Sequence, residues 1–112
     1  MAREPFNITH NNQLSSVAES IISSVPENTS EIVRKLSFKN TGTSTRTVTV
    51  YIVEASGSAA TTNELVSKAI VSGKVWNCIE VQGEVISTGM SLQVKQDAGT
   101  DVNVNGSGII VT

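Results

Sequence analysis

The chain has 112 residues, a net charge of −2 and 16% charged residues, against roughly 25% in ordinary soluble domains. That length allows one domain with a modest core, and its scattered cations leave no electrostatic footprint for nucleic acid or anionic lipid. No run approaches the roughly 18 apolar residues of a membrane span, and Met1 to Pro5 lacks the apolar stretch of a secretory signal, so synthesis in a cytoplasm is expected.

Val and Ile together number 25 against 4 Leu. Branching at Cβ restricts χ1 in a way that suits a pleated strand better than a helix, so this ratio points to an all-β chain. Ser and Thr supply 27 residues, and hydroxyls must therefore wet much of the surface.

Residues 1–12 are polar, broken by Pro5, and carry Phe6 and Ile8 as isolated apolar points. They read as an extended N-terminal arm, held by its own sheet or, as preferred here, by a neighbouring molecule. Residues 13–112 are expected to form a single domain. From Leu14 to Val25 the apolar spacing fits a helix as well as a strand. Six Ser between Ser15 and Ser30 weaken the helix, and the turn Pro26-Glu27-Asn28-Thr29 favours two short strands.

The central stretch reads as two strands, Ile32 to Lys39 and Thr47 to Val53, forming a hairpin through Asn40 to Thr45. Alternation places Val48, Val50 and Ile52 on one face of the second strand. In the first it places Ile32, Arg34, Leu36 and Phe38 on the core face, with Arg34 the odd member, snorkelling at an edge or paired with Glu54 or Glu80. The same alternation sends Arg34 and Lys35 to opposite faces. Glu54 to Asn63 is small and polar, a surface loop. Leu65 to Val71 and Val75 to Val81 read as antiparallel partners across the turn Ser72-Gly73-Lys74. Short strands at Val85-Ile86, Ser91 to Gln96 and Val102 to Asn105 follow, and Gly106-Ser107-Gly108 leads to a last apolar run, Ile109 to Val111. Strands this closely spaced make an antiparallel β-sandwich, jelly-roll or immunoglobulin-like, of about seven to nine strands.

Chemistry has few places to reside. His10 is the one histidine and lies in the arm, and Cys78 is the one cysteine, a small core filler with no neighbouring base to activate it. Asp97 and Asp101 flank a glycine turn without the third acid of a calcium loop. No catalytic, cofactor-binding or metal-binding residue is assigned, and no enzyme activity is expected. Trp76 faces either outward as an interface anchor or inward as core, according to register.

The order Val25-Pro26-Glu27-Asn28-Thr29, then Glu31-Ile32-Val33-Arg34-Lys35-Leu36-Ser37-Phe38-Lys39-Asn40-Thr41-Gly42, then Thr47 to Val53, resembles small β-sandwich structural proteins of tailed bacteriophages. Gly83-Glu84-Val85-Ile86-Ser87-Thr88-Gly89-Met90-Ser91-Leu92-Gln93-Val94 continues the resemblance, which covers roughly residues 20 to 112. It implies a virion protein, foremost a capsid decoration or cement protein bridging capsid subunits, and otherwise a tail, adaptor or fibre component. The partners so implied are the major capsid protein or other virion proteins, with self-assembly into a homo-oligomer and neither nucleic acid nor membrane. Candidate partner-contacting residues are Arg3, Pro5, Phe6 and Ile8 of the arm, and Trp76. A carbohydrate-binding module with Trp76 as its platform is the reading from another functional class.

Overall fold

The computed structural model describes residues 2–22 and 25–112, and of residues 9–12 the backbone alone. Its strands are β1 (Arg3–Gln13), β2 (Glu19–Ile22), β3 (Ser30–Asn40), β4 (Arg46–Val53), β5 (Glu64–Ile70), β6 (Val75–Asn77), β7 (Val85–Ile86), β8 (Ser91–Gln96) and β9 (Val102–Val111). Single 3-10 turns at Thr61–Asn63 and Ile79–Val81 are the helical pieces among the described residues. One sheet has the order β1-β9-β3-β6, with β7 also on β3, and the other has the order β2-β8-β4-β5. Among the described residues all seven pairings are antiparallel, and of these only β4 with β5 joins strands adjacent in sequence. Counting β6 and β7 as one interrupted strand, this is an eight-stranded jelly roll of two Greek keys.

That topology corrects two expected hairpins. Strand β3 does not pair with β4, nor β5 with β6; in each case the chain crosses from one sheet to the other. Asn40 organises both crossings at the end of β3. Its side chain donates to the carbonyls of Ser44 (2.7 Å) and Ile70 (2.9 Å) and accepts from the Gly42 N–H (3.0 Å). Its backbone bonds Gly73 and Lys74 in the β5–β6 turn, where Gly73 has φ of 76°. Period-2 alternation reports which face is buried and carries nothing about which strand lies alongside.

The arm is strand β1, tied to its own sheet by β9. An uncovered second edge on β9 would leave a row of unpaired N–H and C=O groups, which β1 satisfies. Among the described residues of 14–25 there is one strand, β2, in place of the two expected; Ser23 and Ser24 lie outside the described residues. The expected strand from Val75 to Val81 ends at Asn77, and the 3-10 turn that follows buries Val81 and leaves Ile79 67% exposed. The segments Val102 to Asn105 and Ile109 to Val111 are one strand, β9, which continues through Gly106-Ser107-Gly108.

The core lies between the sheets, with Leu36, Phe38, Val33, Val48, Val50, Ile86, Leu92, Val94, Val102 and Val104 fully buried. Trp76 stacks on Phe38 at 5.3 Å between centroids and 22° between planes. Gln96 is fully buried too, and both ends of its amide are bonded at the β8–β9 turn. It accepts from the Val102 N–H (3.0 Å) and donates to the Ala98 carbonyl and to Asp101 (2.9 Å).

Candidate interaction surface

The outer face of the β1-β9-β3 sheet carries a feature that simple alternation does not predict. Val33 pairs with Gly108 and Lys35 with Ser107, so one extra residue, Arg34, is inserted in β3 opposite β9. Such a bulge reverses the inside–outside sense of the strand beyond it. Before it Val33 faces the core; after it Leu36 and Phe38 do, and Arg34 and Lys35 are both exposed. The expected core-facing Arg34 and the separation of Arg34 from Lys35 are thereby overturned. Strand β1 is irregular on the other side of β9, its register slipping between Asn7 and Thr9. Both irregularities fall beside Ser107.

Two glycines let the strands approach here. A Cβ on Gly108 would run into the carbonyl of Ile32 and come within 2.9 Å of Phe6 Cε1; one on Gly106 would meet Leu36 Cδ1 at 2.9 Å and the Lys35 carbonyl at 3.0 Å. Glycine in a strand interior commonly marks such close approach.

The result is an open groove of about 750 Å³ whose walls include Arg3, Pro5 and Phe6 from β1, Arg34 and Lys35 from β3, and Ile109 from β9. Three of these six are cations. Among the described residues the one ion pair is Arg46 with Asp101 (3.0 Å), so none of the three is neutralised by a carboxylate. Pairing also sets Pro5 opposite Ile109, Ile109 opposite Ile32, and Ile32 opposite Val85. Directly paired residues share a face, which makes this an apolar row across four strands. Glu31, one residue from Ile32, pairs with Ile86 and Ile110 on the other side of the sheet; partial burial there raises its carboxyl above the ordinary value. The surface is shallow, cationic and partly apolar, with the chemistry of a docking face.

Of the residues singled out from the sequence, Arg3, Pro5 and Phe6 meet in this groove, Phe6 also packing against the core. Ile8 and Trp76 are elsewhere, buried to 9% and 7% exposure within the core cluster. Lys68 Nζ sits 6.0 Å from the centre of the Trp76 ring, so no aromatic platform is open there for a sugar. The side chain of His10 lies outside the described residues. Cys78 is buried, and desolvation pushes its thiol up to about 11, the reverse of an activated nucleophile. Asp101 is partly exposed and is bonded to a cation and an amide: Arg46 and Gln96 donate to it and hold its carboxyl below the ordinary range. No cluster of three potential metal ligands occurs among the described residues. Sequence reasoning missed Arg34, Lys35, Ile32, Ile109 and Val85 as one surface. The available signal was the Gly-x-Gly of β9, which marks close approach of neighbouring strands.

No family model and no curated sequence matches the chain. Solved structures do. A chain of the T13 particle of infectious bursal disease virus matches with a TM-score of 0.56 and 14% identity, over 97% of this chain and 30% of that one. A chain of the Gx strain of the same virus gives 0.51 and 14%, over 97% and 31%. The likeness is one of fold. This chain has the β-sandwich of a viral-particle chain, and spans about a third of the length of those it matches. These neighbours come from infectious bursal disease virus rather than from a tailed phage.

Proposed function

We propose that the chain is a structural protein of a virion, a capsid decoration or cement protein of a tailed bacteriophage that bridges neighbouring capsid subunits. The observation that carries the virion role is the fold shared with a viral-particle chain over 97% of this chain's length. The phage assignment rests on the resemblance of Val25 to Gly42, Thr47 to Val53 and Gly83 to Val94 to small phage β-sandwiches. In this reading the partners are the major capsid protein and further copies of the chain, and the outer face of the β1-β9-β3 sheet is a contact surface. Contacts of about 800 Å² per partner suffice for stable association, and repetition over a closed shell multiplies weak sites into strong cohesion. The chain is made in the host cytoplasm and ends on the capsid surface.

Mass-spectrometric counting in purified particles tests this. A copy number commensurate with the shell supports decoration, and a handful of copies reassigns the chain to tail, adaptor or fibre. Particles lacking the chain should lose their contents at lower temperature than complete ones; equal heat resistance would refute the bridging role.

A further inference from the structure

We infer that the outer face of the β1-β9-β3 sheet receives an acidic segment of a partner protein anchored by apolar side chains. The segment lies across β1, β9, β3 and β7, with hydrophobic side chains on Pro5, Ile109 and Ile32 and carboxylates against Arg3, Arg34 and Lys35. This deepens the bridging role proposed above and rests on it for the setting in which the partner is met.

The row Pro5, Ile109, Ile32, Val85 crosses four strands. Three spacings of 4.7–4.9 Å make about 14 Å, the length of about four extended residues. Val85 closes the row with 47% of its surface exposed. On one side of the row β1 begins with Arg3, paired to Val111; on the other the bulge presents Arg34 and Lys35. Residues two apart along a strand are about 7 Å apart, so an occupant of the row has cations along both flanks. The acids nearby in sequence do not cancel them. Glu4 pairs with Ile110, and Glu31 does too, on the opposite face. Glu84 meets Val33 through its backbone and forms no ion pair.

Other occupants fit less well. A second copy packed back to back would set these cations against their own equivalents, and like charges across an interface cost affinity. A sulfated glycan would satisfy the cations but meet an aliphatic row in place of a stacking ring. Addition of a partner strand to the β1 edge is hindered by Pro5, which lacks an N–H, and by the irregular register of that strand.

The test is an NMR titration of the full chain with a short peptide alternating Glu with Ile. Matched peptides alternate Lys with Ile and Glu with Gly, and a heparin-derived oligosaccharide serves as polyanion. Shifts confined to β1, β9, β3 and β7 on adding the Glu–Ile peptide are expected, weakening at high salt. Arg34→Glu with Lys35→Glu should reduce affinity at least about tenfold, and Lys74→Glu with Lys95→Glu should leave it unchanged. Both double variants alter solvent-reaching side chains, and the Trp76 emission of each reports that the core is intact. Equal binding of the Lys–Ile or Glu–Gly peptide, binding of heparin alone, or indifference to the Arg34 and Lys35 reversals would overturn the inference. Particles stabilised by the chain despite such a result would leave the bridging role standing and remove only this surface.

Discussion

Replacing Gly108 by alanine probes the geometry that assembles the groove. A Cβ there would meet the Ile32 carbonyl well inside contact distance, with Phe6 Cε1 at 2.9 Å and the Ile32 carbonyl carbon at 3.3 Å, where ordinary contact is 3.4–4 Å. The obstacle is main chain, so no rotamer change relieves it, and β3 must withdraw from β9 by roughly 1 Å against its hydrogen bonds. Overpacking of this kind costs about 1–3 kcal/mol, and a backbone obstacle belongs at the upper end. Loss of glycine freedom in the unfolded chain returns about 0.4–1 kcal/mol, leaving a net destabilisation of about 2 kcal/mol. For a chain of this size that lowers Tm by about 8 °C. Gly106→Ala is the internal comparison: one of its two nearest obstacles is the Leu36 methyl, which can rotate, so a drop of about half that size is expected. Thermal melts followed by circular dichroism measure both. A Gly108→Ala protein that melts within about 2 °C of the parent would refute the close packing of β3 on β9, and with it the bulge that brings Arg34 beside Lys35.

Trp76→Ala should cost about 3–5 kcal/mol in urea unfolding, because it empties the stack on Phe38; a loss under about 1 kcal/mol would mean that Trp76 is not core. The Asp101 carboxyl is held below its ordinary value of 3.8, first by the hydrogen bond from Arg46 and then by that from Gln96. Its ionised form therefore stabilises the fold above that pH, and the contribution disappears as pH falls through the lowered folded value. Asp101→Asn should flatten the acid limb of a Tm-versus-pH curve below about pH 4, and an unchanged limb would refute the assignment. The Cys78 thiol, raised from 9.0 to about 11 by burial, stays protonated in the fold while an unfolded chain releases its proton first. Stability should fall as pH rises between those values and hold in Cys78→Ala. At neutral pH a disulfide reagent should label Cys78 only as fast as the chain opens; immediate labelling of native protein would contradict its burial.

Much of the architecture is legible in the chain itself. The excess of Val and Ile over Leu, and the alternation at Val48 and Val50, Leu92 and Val94, and Val102 and Val104, identify strands and their buried faces. Side-chain direction along a strand is set by covalent geometry, so it can be read without knowing any partner. Gly73 and Gly89, both at positive φ, likewise mark turns by local sterics alone.

What lies beside each strand is another matter. Strand β1 finds β9 across nearly the whole chain, and β3 turns away from β4 toward β9, β6 and β7. Those choices come from burying both sheet faces at once and from satisfying edge hydrogen bonds, which are properties of the assembled sandwich. The bulge shows the division most clearly. An extra residue exists only relative to a partner strand, so nothing within Val33-Arg34-Lys35 discloses that both cations point outward. Residue types and local directions were therefore determined by the sequence, whereas the docking face was decided by long-range pairing, because it is composed of registers among strands distant in the chain.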